Sequence, residues 1–465
     1  MKNTILSLLF ALAAFAPKGL AAGKPAKPNI VYIMLDDAGY GDFSCYGQKK
    51  FQTPNIDMLA KEGIRFTQHY SGSTVCAPTR CALMTGLHTG HCYVRGNKEV
   101  QPEGQASMPA DIVTVPRLLK KAGYTTGMFG KWGLGAPGST SDPVEHFDRF
   151  YGFNCQRQAH TYYPDHLWSD ANRVELDGET YAHDLIHDEV LKFIKANAGN
   201  PFFAYVPYTI PHAAMHCPEE DVAPFRKQFS EFEGRPSKYG KHRVTMNPAA
   251  MFAGMMTRVD RHVGEVVALL RQLGIEKNTV VMFTSDNGPH QEGGHMPDFF
   301  DSNGPLKGHK RDLYEGGIRA PFITWWPGKI KAGGTSDLVS AHWDFLPTAC
   351  ELAGVDIPKN TDGISMVPTL LGQEARQKRH SYLYWEFHEK GKRQAIRMGN
   401  WKAVRLNLAK DSNAAIELYD LSRDIGEENN IAALHADVVG RIKPLFSSAR
   451  VESEVFTLFP EKGKK

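Results

Sequence analysis

The sequence predicts an α/β fold, a large and mostly parallel sheet sandwiched by helices and followed by a smaller C-terminal α+β domain with an antiparallel sheet. Three observations predict it. Short β-branched and aromatic runs alternate with helical stretches up to about residue 372, and strands joined through helices form parallel sheets. These runs are apolar throughout, as strands buried on both faces are. Beyond residue 372 the apolar runs are shorter and more closely spaced.

The elements follow in chain order. Strands of the main sheet are predicted at residues 30–35, 124–129, 202–208, 280–284 and 321–326. Helices are predicted at residues 55–63, 114–122, 183–198 and 251–273, where apolar residues recur at spacings of three and four. The antiparallel sheet is predicted from runs at 381–387, 394–398, 401–406 and 416–421, with a closing helix at 436–447.

The N-terminus has the pattern of an export signal. Lys2 precedes an apolar stretch over residues 5–16, which is too short to span a bilayer, and small residues follow at 19–23. We therefore predict a signal peptide over residues 1–22, a main domain over 23–372 and a small antiparallel-sheet subdomain over 373–465. The mature protein is expected to be exported, periplasmic or secreted, without a membrane span.

Charge and cysteine content exclude some classes of protein. The sequence has 54 Lys and Arg residues against 51 Asp and Glu residues, which gives a formal charge of +3. This charge creates no positive electrostatic field strong enough to favour a nucleic-acid partner. Seven cysteines are too few and too scattered for a disulfide scaffold, and their odd number leaves at least one unpaired. Their pairing cannot be read from the sequence.

Polar residues follow four of the predicted strands. They are Asp36 and Asp37, Lys131, His212, and Asp286 and Asn287. In open α/β sheets the ligand crevice lies beyond the carboxyl ends of the strands. The sequence therefore predicts that these residues belong to one site.

The two acidic pairs indicate a metal site. Asp36, Asp37, Asp286 and Asn287 offer hard oxygen ligands with no His or Cys among them, a set that suits Ca²⁺ or Mg²⁺ rather than Zn²⁺. A single Asp pair after a strand could instead cap a helix. Two such pairs at two strand ends favour the metal.

A second group of residues surrounds Cys76. The segment reads Cys76-Ala-Pro78-Thr-Arg80, in which Pro suits the first turn of a helix and Arg suits a tetrahedral oxyanion. At the positive end of this helix, Cys76 could be a thiol of low pKa, a disulfide partner of Cys81 or an inert buried thiol. Composition alone leaves these alternatives open.

The motifs together resemble one family, the formylglycine-dependent sulfatases of the alkaline-phosphatase-like superfamily, arylsulfatases and N-acetylgalactosamine-6-sulfatases among them. The resemblance covers residues 29–430 and includes the Cys76-Ala-Pro78-Thr-Arg80 signal. Other matching segments are residues 36–41, 53–57, 130–132, 211–212, 285–288, 314–321, 417–424 and 428–430. The main domain would then be the catalytic sulfatase domain.

Residue roles follow from the resemblance. It implies that Cys76 is oxidised to Cα-formylglycine and that Asp36, Asp37, Asp286 and Asn287 hold one Ca²⁺, which also contacts the residue at position 76. It implies that Arg80 orients the hydrated aldehyde and that Lys131 and Lys310 bind sulfate. It further implies that His212, with Lys310, protonates the departing alcohol. Lys310, rather than Lys307, is the lysine four residues before Tyr314 that matches the family.

One position departs from the family pattern. Gly133 stands where many members have a His beside the formylglycine. The resemblance therefore leaves unassigned the base that deprotonates the second hydroxyl of the hydrated aldehyde so that sulfate is released. We predict His290 as the replacement, with His295 behind it. Substrate contacts are predicted in the irregular region 155–168, at His160, His166 and Trp168; the alternative is that its aromatic residues only pack this segment onto the core.

The expected function is hydrolysis of a sulfated carbohydrate, from a polysaccharide or glycosaminoglycan fragment, by a sulfatase matured by a formylglycine-generating or other sulfatase-maturing enzyme. The alternatives are a phosphodiesterase or phosphonate monoester hydrolase on the same scaffold and a non-catalytic glycan-binding relative. The sulfated position, exo or endo action and the oligomeric state are not predicted.

Overall fold

The computed structural model describes residues 27–459, so the predicted signal peptide over residues 1–22 lies outside the described residues. The strands are β1 (Asn29–Asp36), β2 (Ile64–Phe66), β3 (His69–Tyr70), β4 (Thr125–Lys131), β5 (Arg149–Phe153), β6 (His166–Ser169), β7 (Asn172–Glu175), β8 (Phe202–Pro211), β9 (Pro236–Ser237), β10 (Thr245–Met246), β11 (Thr279–Ser285), β12 (Phe322–Trp325), β13 (Gly334–Ser336), β14 (Ser340–Ala341), β15 (Leu383–Phe387), β16 (Arg393–Met398), β17 (Trp401–Arg405) and β18 (Ile416–Asp420).

The helices are α1 (Pro54–Glu62), α2 (Cys76–Thr85), α3 (Val115–Lys121), α4 (Ala182–Ala196), α5 (Glu219–Gln228), α6 (Pro248–Gln272), α7 (Pro297–Phe300), α8 (Glu315–Ile318), α9 (Phe345–Ala353), α10 (Val367–Leu370), α11 (Ala436–Ile442) and α12 (Leu445–Ser448).

The main sheet has ten strands in the order β13-β2-β12-β11-β1-β8-β4-β5-β6-β7. Its centre, from β11 to β5, is parallel, whereas β12, β6 and β7 pair antiparallel with their neighbours. Val31, Ile33 and Leu35 of β1 face the core beneath α4 and α6, while Tyr32 and Met34 face the core beneath α2 and α9. The predicted parallel sheet covered on both faces is confirmed.

The C-terminal sheet is antiparallel in the order β15-β16-β17-β18, as predicted, and α11 and α12 pack against it. The predicted closing helix is wrong in one respect, because it divides into two short helices around Pro444. Proline cannot continue the hydrogen bonds of a helix interior. A buried ion pair, Lys402 Nζ to Glu315 Oε1 at 2.9 Å, joins this sheet to α8. The domain boundary at residue 372 stays a prediction.

The region predicted as irregular also contains regular structure. Residues 166–175 form the β6–β7 hairpin, which extends the main sheet beyond β5. Its mixture of aromatic and charged residues lacks the apolar run of a buried strand, since an edge hairpin is covered on fewer sides. The hairpin places residues 155–166 beside the carboxyl end of β4.

Candidate active site

The predicted strand ends meet at one edge of the sheet. Leu35 of β1 pairs with Ser285 of β11, so the acidic residues that follow each strand are neighbours. The backbone N–H of Asp37 donates to Asp286 Oδ1 at 2.9 Å, and Asn287 Nδ2 donates to Asp37 Oδ1 at 2.7 Å. Asp37 has a φ of 68°, in the left-handed region that Asp tolerates better than most residues. All four predicted metal ligands, including Asp36, are buried.

Helix α2 brings Cys76 to this edge. The helix begins at Cys76, whose Sγ lies 3.3 Å from Asp36 Oδ1 and 3.3 Å from Lys131 Nζ. Arg80, one turn later on the same face, donates to the Lys131 carbonyl at 2.5 Å and to Asp286 Oδ2 at 3.2 Å. The signal motif therefore places the cysteine and its arginine against both acidic strand ends.

The structure also separates the three readings of Cys76. In the described part of the chain every cysteine is free, so the Cys76–Cys81 disulfide is absent from residues 27–459. The low-pKa reading is wrong for this environment, because burial and the negative charge of Asp36 raise the pKa of the Cys76 thiol. As an unmodified residue, Cys76 is a protonated and buried thiol.

Two lysines and a histidine complete the site. Lys131 Nζ donates to Asp36 Oδ2 at 2.5 Å, and Lys310 Nζ donates to Asp37 Oδ2 at 2.7 Å. Lys310 Nζ also lies 3.0 Å from His212 Nε2. Lys307 is outside the site, since its Nζ donates to the Glu427 carbonyl at 2.8 Å. The geometry thus agrees with the choice of Lys310.

Burial and neighbouring charges determine the protonation states. Burial and the Lys310 ammonium hold the pKa of His212 well below its usual value, so the imidazole is neutral. Its Nδ1–H donates to the Ala213 carbonyl, which leaves the Nε2 lone pair to accept from Lys310. Although burial opposes the charge of Lys310, Asp37 and other acidic neighbours raise the pKa of its ammonium well above the usual value. The Lys310–His212 pair therefore carries one positive charge, and one N–H of the Lys310 ammonium is hydrogen-bonded to His212 Nε2.

The acidic group fits a hard divalent cation. Burial and the charge of Asp36 raise the pKa of Asp286 to about 8, which is the effect expected where like charges converge. The Oδ1 of Asn287 is buried and has no hydrogen-bond partner among the described residues. Ligand atoms of Asp36, Asp37, Cys76 and His212 all lie within 4.8 Å of one another. Carboxylate and amide oxygens, which Asp36, Asp37, Asp286 and Asn287 offer, are the kinds of ligand that Ca²⁺ takes.

His290 lies near the site, but both of its ring nitrogens have backbone partners. Nε2 donates to the Pro211 carbonyl at 3.0 Å, and Nδ1 accepts from the Glu292 N–H at 3.1 Å. A proton-accepting role would require the second of these bonds to break. His295 lies behind His290, with a centroid separation of 4.8 Å. The role of His290 as base stays a prediction that this arrangement does not favour.

Gly133 has a structural reason to lack a side chain. Its φ is 77°, and a Cβ built there would lie 2.7 Å from Gln156 Nε2 and 2.8 Å from Gln156 Cγ. Gln156 therefore fills the space beside position 133, and its own Nε2 is buried without a partner in the described residues. Nothing in the sequence pattern pointed to Gln156, because the contact joins β4 to a separate loop.

We expect Gly133→His to lower the free energy of unfolding by about 2–4 kcal/mol, through the left-handed backbone and the clash with Gln156. Urea denaturation measures the loss. Gly138→His is the matched control, because Gly138 also has a positive φ, 71°, but has open space around its Cβ position. Equal losses in the two variants would show that the clash with Gln156 contributes nothing.

The three predicted substrate contacts separate into two groups. His160 stacks on His212 with centroids 4.6 Å apart and planes 3° apart, so it reaches the site. His166 Nε2 lies 3.0 Å from Glu103 Oε2, and Trp168 Nε1 donates to Glu103 Oε1 at 2.8 Å. Both side chains contact Glu103, and their role as substrate contacts stays a prediction.

His160 and His166 line a cleft of about 1040 Å³ beside the site, together with Arg157, Tyr239, Lys241 and His242.

Two residues near the site were not predicted. Glu292 accepts from Lys310 Nζ at 3.2 Å and from Arg311 at 2.6 Å. Tyr239 packs edge-on against His212, with centroids 6.0 Å apart. Glu292 lies only two residues from His290, so its proximity to the motif was the available signal.

Comparisons with known proteins agree with this arrangement. Residues 28–355 match the family model described as Sulfatase, and residues 308–446 match that described as N-sulphoglucosamine sulphohydrolase, C-terminal. The N-acetylgalactosamine-6-sulfatase of Rattus norvegicus is 34% identical over 385 residues, which cover 76% of this chain and 67% of that protein. Arylsulfatase A of Homo sapiens is 33% identical over 481 residues, which cover 91% of this chain and 86% of that protein. The crystal structure of Ps i-CgsB in complex with k-i-k-neocarrahexaose has a TM-score of 0.78 and 28% identity, and the match covers 94% of this chain and 95% of that chain.

Proposed function

Because this chain belongs to the sulfatase family and is a sulfuric ester hydrolase, we propose that it removes sulfate from a sulfated carbohydrate at the site around Cys76. One observation carries this proposal: Cys76 lies at the start of α2, 3.3 Å from both Asp36 and Lys131. A nucleophile, an acidic metal site and cations for the sulfate oxygens are thus adjacent. The names of the relatives, which include an N-acetylgalactosamine-6-sulfatase and a complex with a neocarrahexaose, support a carbohydrate substrate.

Two groups that the family uses fit this site. Cα-formylglycine made from Cys76 by a maturing enzyme would supply an aldehyde hydrate as nucleophile, and Ca²⁺ would supply positive charge for the sulfate oxygens. Asp36, Asp37, Asp286 and Asn287 would hold the ion, with residue 76 beside them. The buried carboxylates and the unpartnered Asn287 Oδ1 support this assignment. From the sequence pattern of residues 1–22, we further propose that the protein is exported and reaches the periplasm or medium. Among the helices of residues 27–459, none has the length and hydropathy of a membrane span.

The cationic side chains take the sulfate. Lys131 contacts Asp36 and Lys310 contacts Asp37, so the acidic group has two ammonium groups beside it that can bind the oxygens of an anion. Arg80 lies deeper, between Asp286 and Asp36, where it positions residue 76 rather than the outer sulfate oxygens. Removing a preorganised donor of this kind costs about 10²- to 10³-fold in turnover.

The His212–Lys310 pair is placed to protonate the leaving group. Lys310 donates to His212 Nε2, and a proton held between these nitrogens can pass to the ester oxygen as the S–O bond breaks. The Ala213 carbonyl holds Nδ1–H and keeps Nε2 directed at Lys310. The acid is therefore the pair rather than a free imidazolium.

We expect His212→Ala to slow esters of sugar alcohols by about 10²- to 10⁴-fold and activated aryl esters much less, since good leaving groups need little protonation. Turnover across esters with different leaving-group pKa values measures the difference. His295→Ala, which removes a buried imidazole outside the Lys310 contact, is the control. A uniform loss across all esters would contradict the acid role.

Two residues are candidates for the proton acceptor of the second half-reaction, in which sulfate leaves the enzyme after the alcohol has been released. His290 is the residue predicted from the sequence, and its two backbone bonds weigh against it. His160 is the second candidate, because its ring stacks on His212 and makes no hydrogen bond within the described part of the chain. Burial and the positive charges of Lys131 and Lys310 hold the pKa of His160 well below its usual value, so its imidazole is neutral.

The variant that lacks the acceptor is expected to release the alcohol in a rapid burst and sulfate slowly, because only the second half-reaction is impaired. Stopped-flow measurement of alcohol, beside sulfate by ion chromatography, distinguishes His160→Ala from His290→Ala. We expect the burst in one variant only. A raised KM without a burst in both would assign these residues to substrate binding instead.

Two other functions are tested by kinetics. A phosphodiesterase or phosphonate monoester hydrolase would favour phosphorus esters, so kcat/KM on matched sulfate and phosphate esters separates it from a sulfatase. A non-catalytic glycan-binding protein would bind without turnover, although Cys76, Arg80 and the acidic set are complete. Faster hydrolysis of the sulfate ester by the matured protein is the result we expect.

A further inference from the structure

Three histidines stack between helices α4 and α6, outside the site around Cys76. His183 and His187 lie one turn apart on α4, and His262 comes from α6. The ring of His262 stacks on both, with centroids 4.0 Å from His187 and 5.0 Å from His183 and planes within 2° and 13° of parallel. Glu265 follows His262 by one turn on the same face of α6. We call these four residues the histidine cluster.

The histidine cluster has the donor set of a transition-metal site. One ligand atom each of His187, His262 and Glu265 lies within 4.8 Å of the other two, and His187 Nε2 is 2.8 Å from Glu265 Oε2. Burial holds the pKa of His187 and of His262 below the usual value, so both imidazoles are neutral and have a nitrogen lone pair to offer. Two imidazoles and one carboxylate are a set that binds Zn²⁺ with water in the fourth position.

Several ring nitrogens of the cluster have no hydrogen-bond partner. Both nitrogens of His183 and the Nδ1 of His262 are buried and unpartnered among residues 27–459. Buried polar atoms are normally satisfied, because an unmade hydrogen bond leaves the cost of desolvation uncompensated. The cluster therefore has unused capacity to bind a ligand.

The surroundings of the cluster suit a cation. His187 Nδ1 lies 2.7 Å from the Tyr208 hydroxyl, a partner that fixes the ring with its Nε2 towards Glu265. Asp184 Oδ1 lies 3.7 Å from His262 Nε2, which adds a second carboxylate. The nearby cation Arg258 is already paired with Asp184 and Asp221. The side chain of Glu265 is 44% exposed, so an ion can reach the cluster from solvent.

We propose that the histidine cluster binds a divalent transition-metal ion of the Zn²⁺ type through His187, His262 and Glu265, with water as the fourth ligand. The ion joins α4 to α6, and it differs in class from the Ca²⁺ proposed at Asp36, because imidazole favours Zn²⁺ whereas Ca²⁺ takes oxygen ligands. Ligand atoms about 2.0 Å from a tetrahedral zinc are about 3.3 Å apart. The 2.8 Å hydrogen bond between His187 and Glu265 therefore opens by only about 0.5 Å to admit the ion.

The test is calorimetric titration of the whole protein with Zn²⁺, in excess Ca²⁺ so that the acidic group beside Cys76 is occupied. We expect one Zn²⁺ per chain. Glu265→Gln should weaken its binding at least about 10- to 100-fold, which is the cost of losing an outer partner of a metal ligand alone. Because Glu265 is partly exposed, this variant is expected to fold. Glu189→Gln is the matched control, since this carboxylate of α4 pairs with Arg149 instead.

A second measurement reports the ligands themselves. Co²⁺ used in place of Zn²⁺ should give the visible absorption of a four-coordinate site in the wild type and in Glu189→Gln, and His262→Gln and Glu265→Gln should lose it. Zn²⁺ should also raise the thermal unfolding midpoint of the wild type more than that of Glu265→Gln. Equal Zn²⁺ affinity in the wild type, Glu265→Gln and Glu189→Gln would overturn the inference, as would a wild-type protein that binds no Zn²⁺ in excess Ca²⁺. Neither outcome bears on sulfatase activity, which uses other residues.

Discussion

Cys76→Ala is expected to lower the turnover of a sulfate ester by about 10⁴-fold or more, because it removes the atom from which the nucleophile is made. The side chain is buried at the point where α2, Asp36 and Lys131 meet. Activity is measured on protein made together with a sulfatase-maturing enzyme. Mass spectrometry of the wild-type peptide containing residue 76 should show the CH2–SH of cysteine replaced by the aldehyde CH=O, with loss of the sulfur and two hydrogens and gain of one oxygen.

Cys81→Ala is the matched control for this prediction. Cys81 is also buried in α2, but its Sγ lies against Met108 Sδ at 3.8 Å rather than against the acidic group. Its loss should leave both the modification and the turnover close to the wild type. A fully active wild-type protein whose Cys76 retains its thiol would overturn the assignment.

Asp286→Ala and Asp37→Ala are expected to lose bound Ca²⁺ and to lower turnover by about 10³-fold. Each removes one of only three carboxylates in the group, and hard cations are held largely by ligand charge. Metal analysis of the purified variants measures the ion. In the wild type, Ca²⁺ at one hundred times its dissociation constant should stabilise the folded protein by about 2.7 kcal/mol, and a chelator should remove that gain.

Asp260→Ala provides the comparison for these variants. Asp260 is also a buried carboxylate, but it accepts from the backbone N–H groups of Asn55 and Ile56 at the start of α1. Its removal should cost about 1 kcal/mol of stability, as loss of a helix cap does, and no metal. Unchanged metal content in both Asp286→Ala and Asp37→Ala would reject the ligand assignment.

The central strands and the acidic site were predictable because buried parallel strands have a simple signature. An apolar run that ends in a charged pair, as β1 does at Asp36 and Asp37, indicates both the strand and its position in the crevice. The edge hairpin β6–β7 lacks that signature, since its side chains face solvent and the cleft as well as the core. The break of the closing helix at Pro444 could have been predicted from the proline itself.

The remaining site residues depend on contacts between distant segments. Gln156 became part of the site only because its loop packs on Gly133 beyond the end of β4, and Tyr239 because the segment between β9 and β10 folds back onto His160. No local pattern marks either residue. His290 shows the converse: an imidazole in a motif is a reasonable candidate base, but its backbone bonds to Pro211 and Glu292 are visible only in three dimensions.

The contact between Gly133 and Gln156 constrains the evolutionary paths open to this enzyme. Histidine at position 133 alone would place its Cβ 2.7 Å from Gln156 Nε2 and 2.8 Å from Gln156 Cγ, whereas a smaller residue at position 156 would free that space. The effect of the first change therefore depends on the second, which is epistasis with a steric cause.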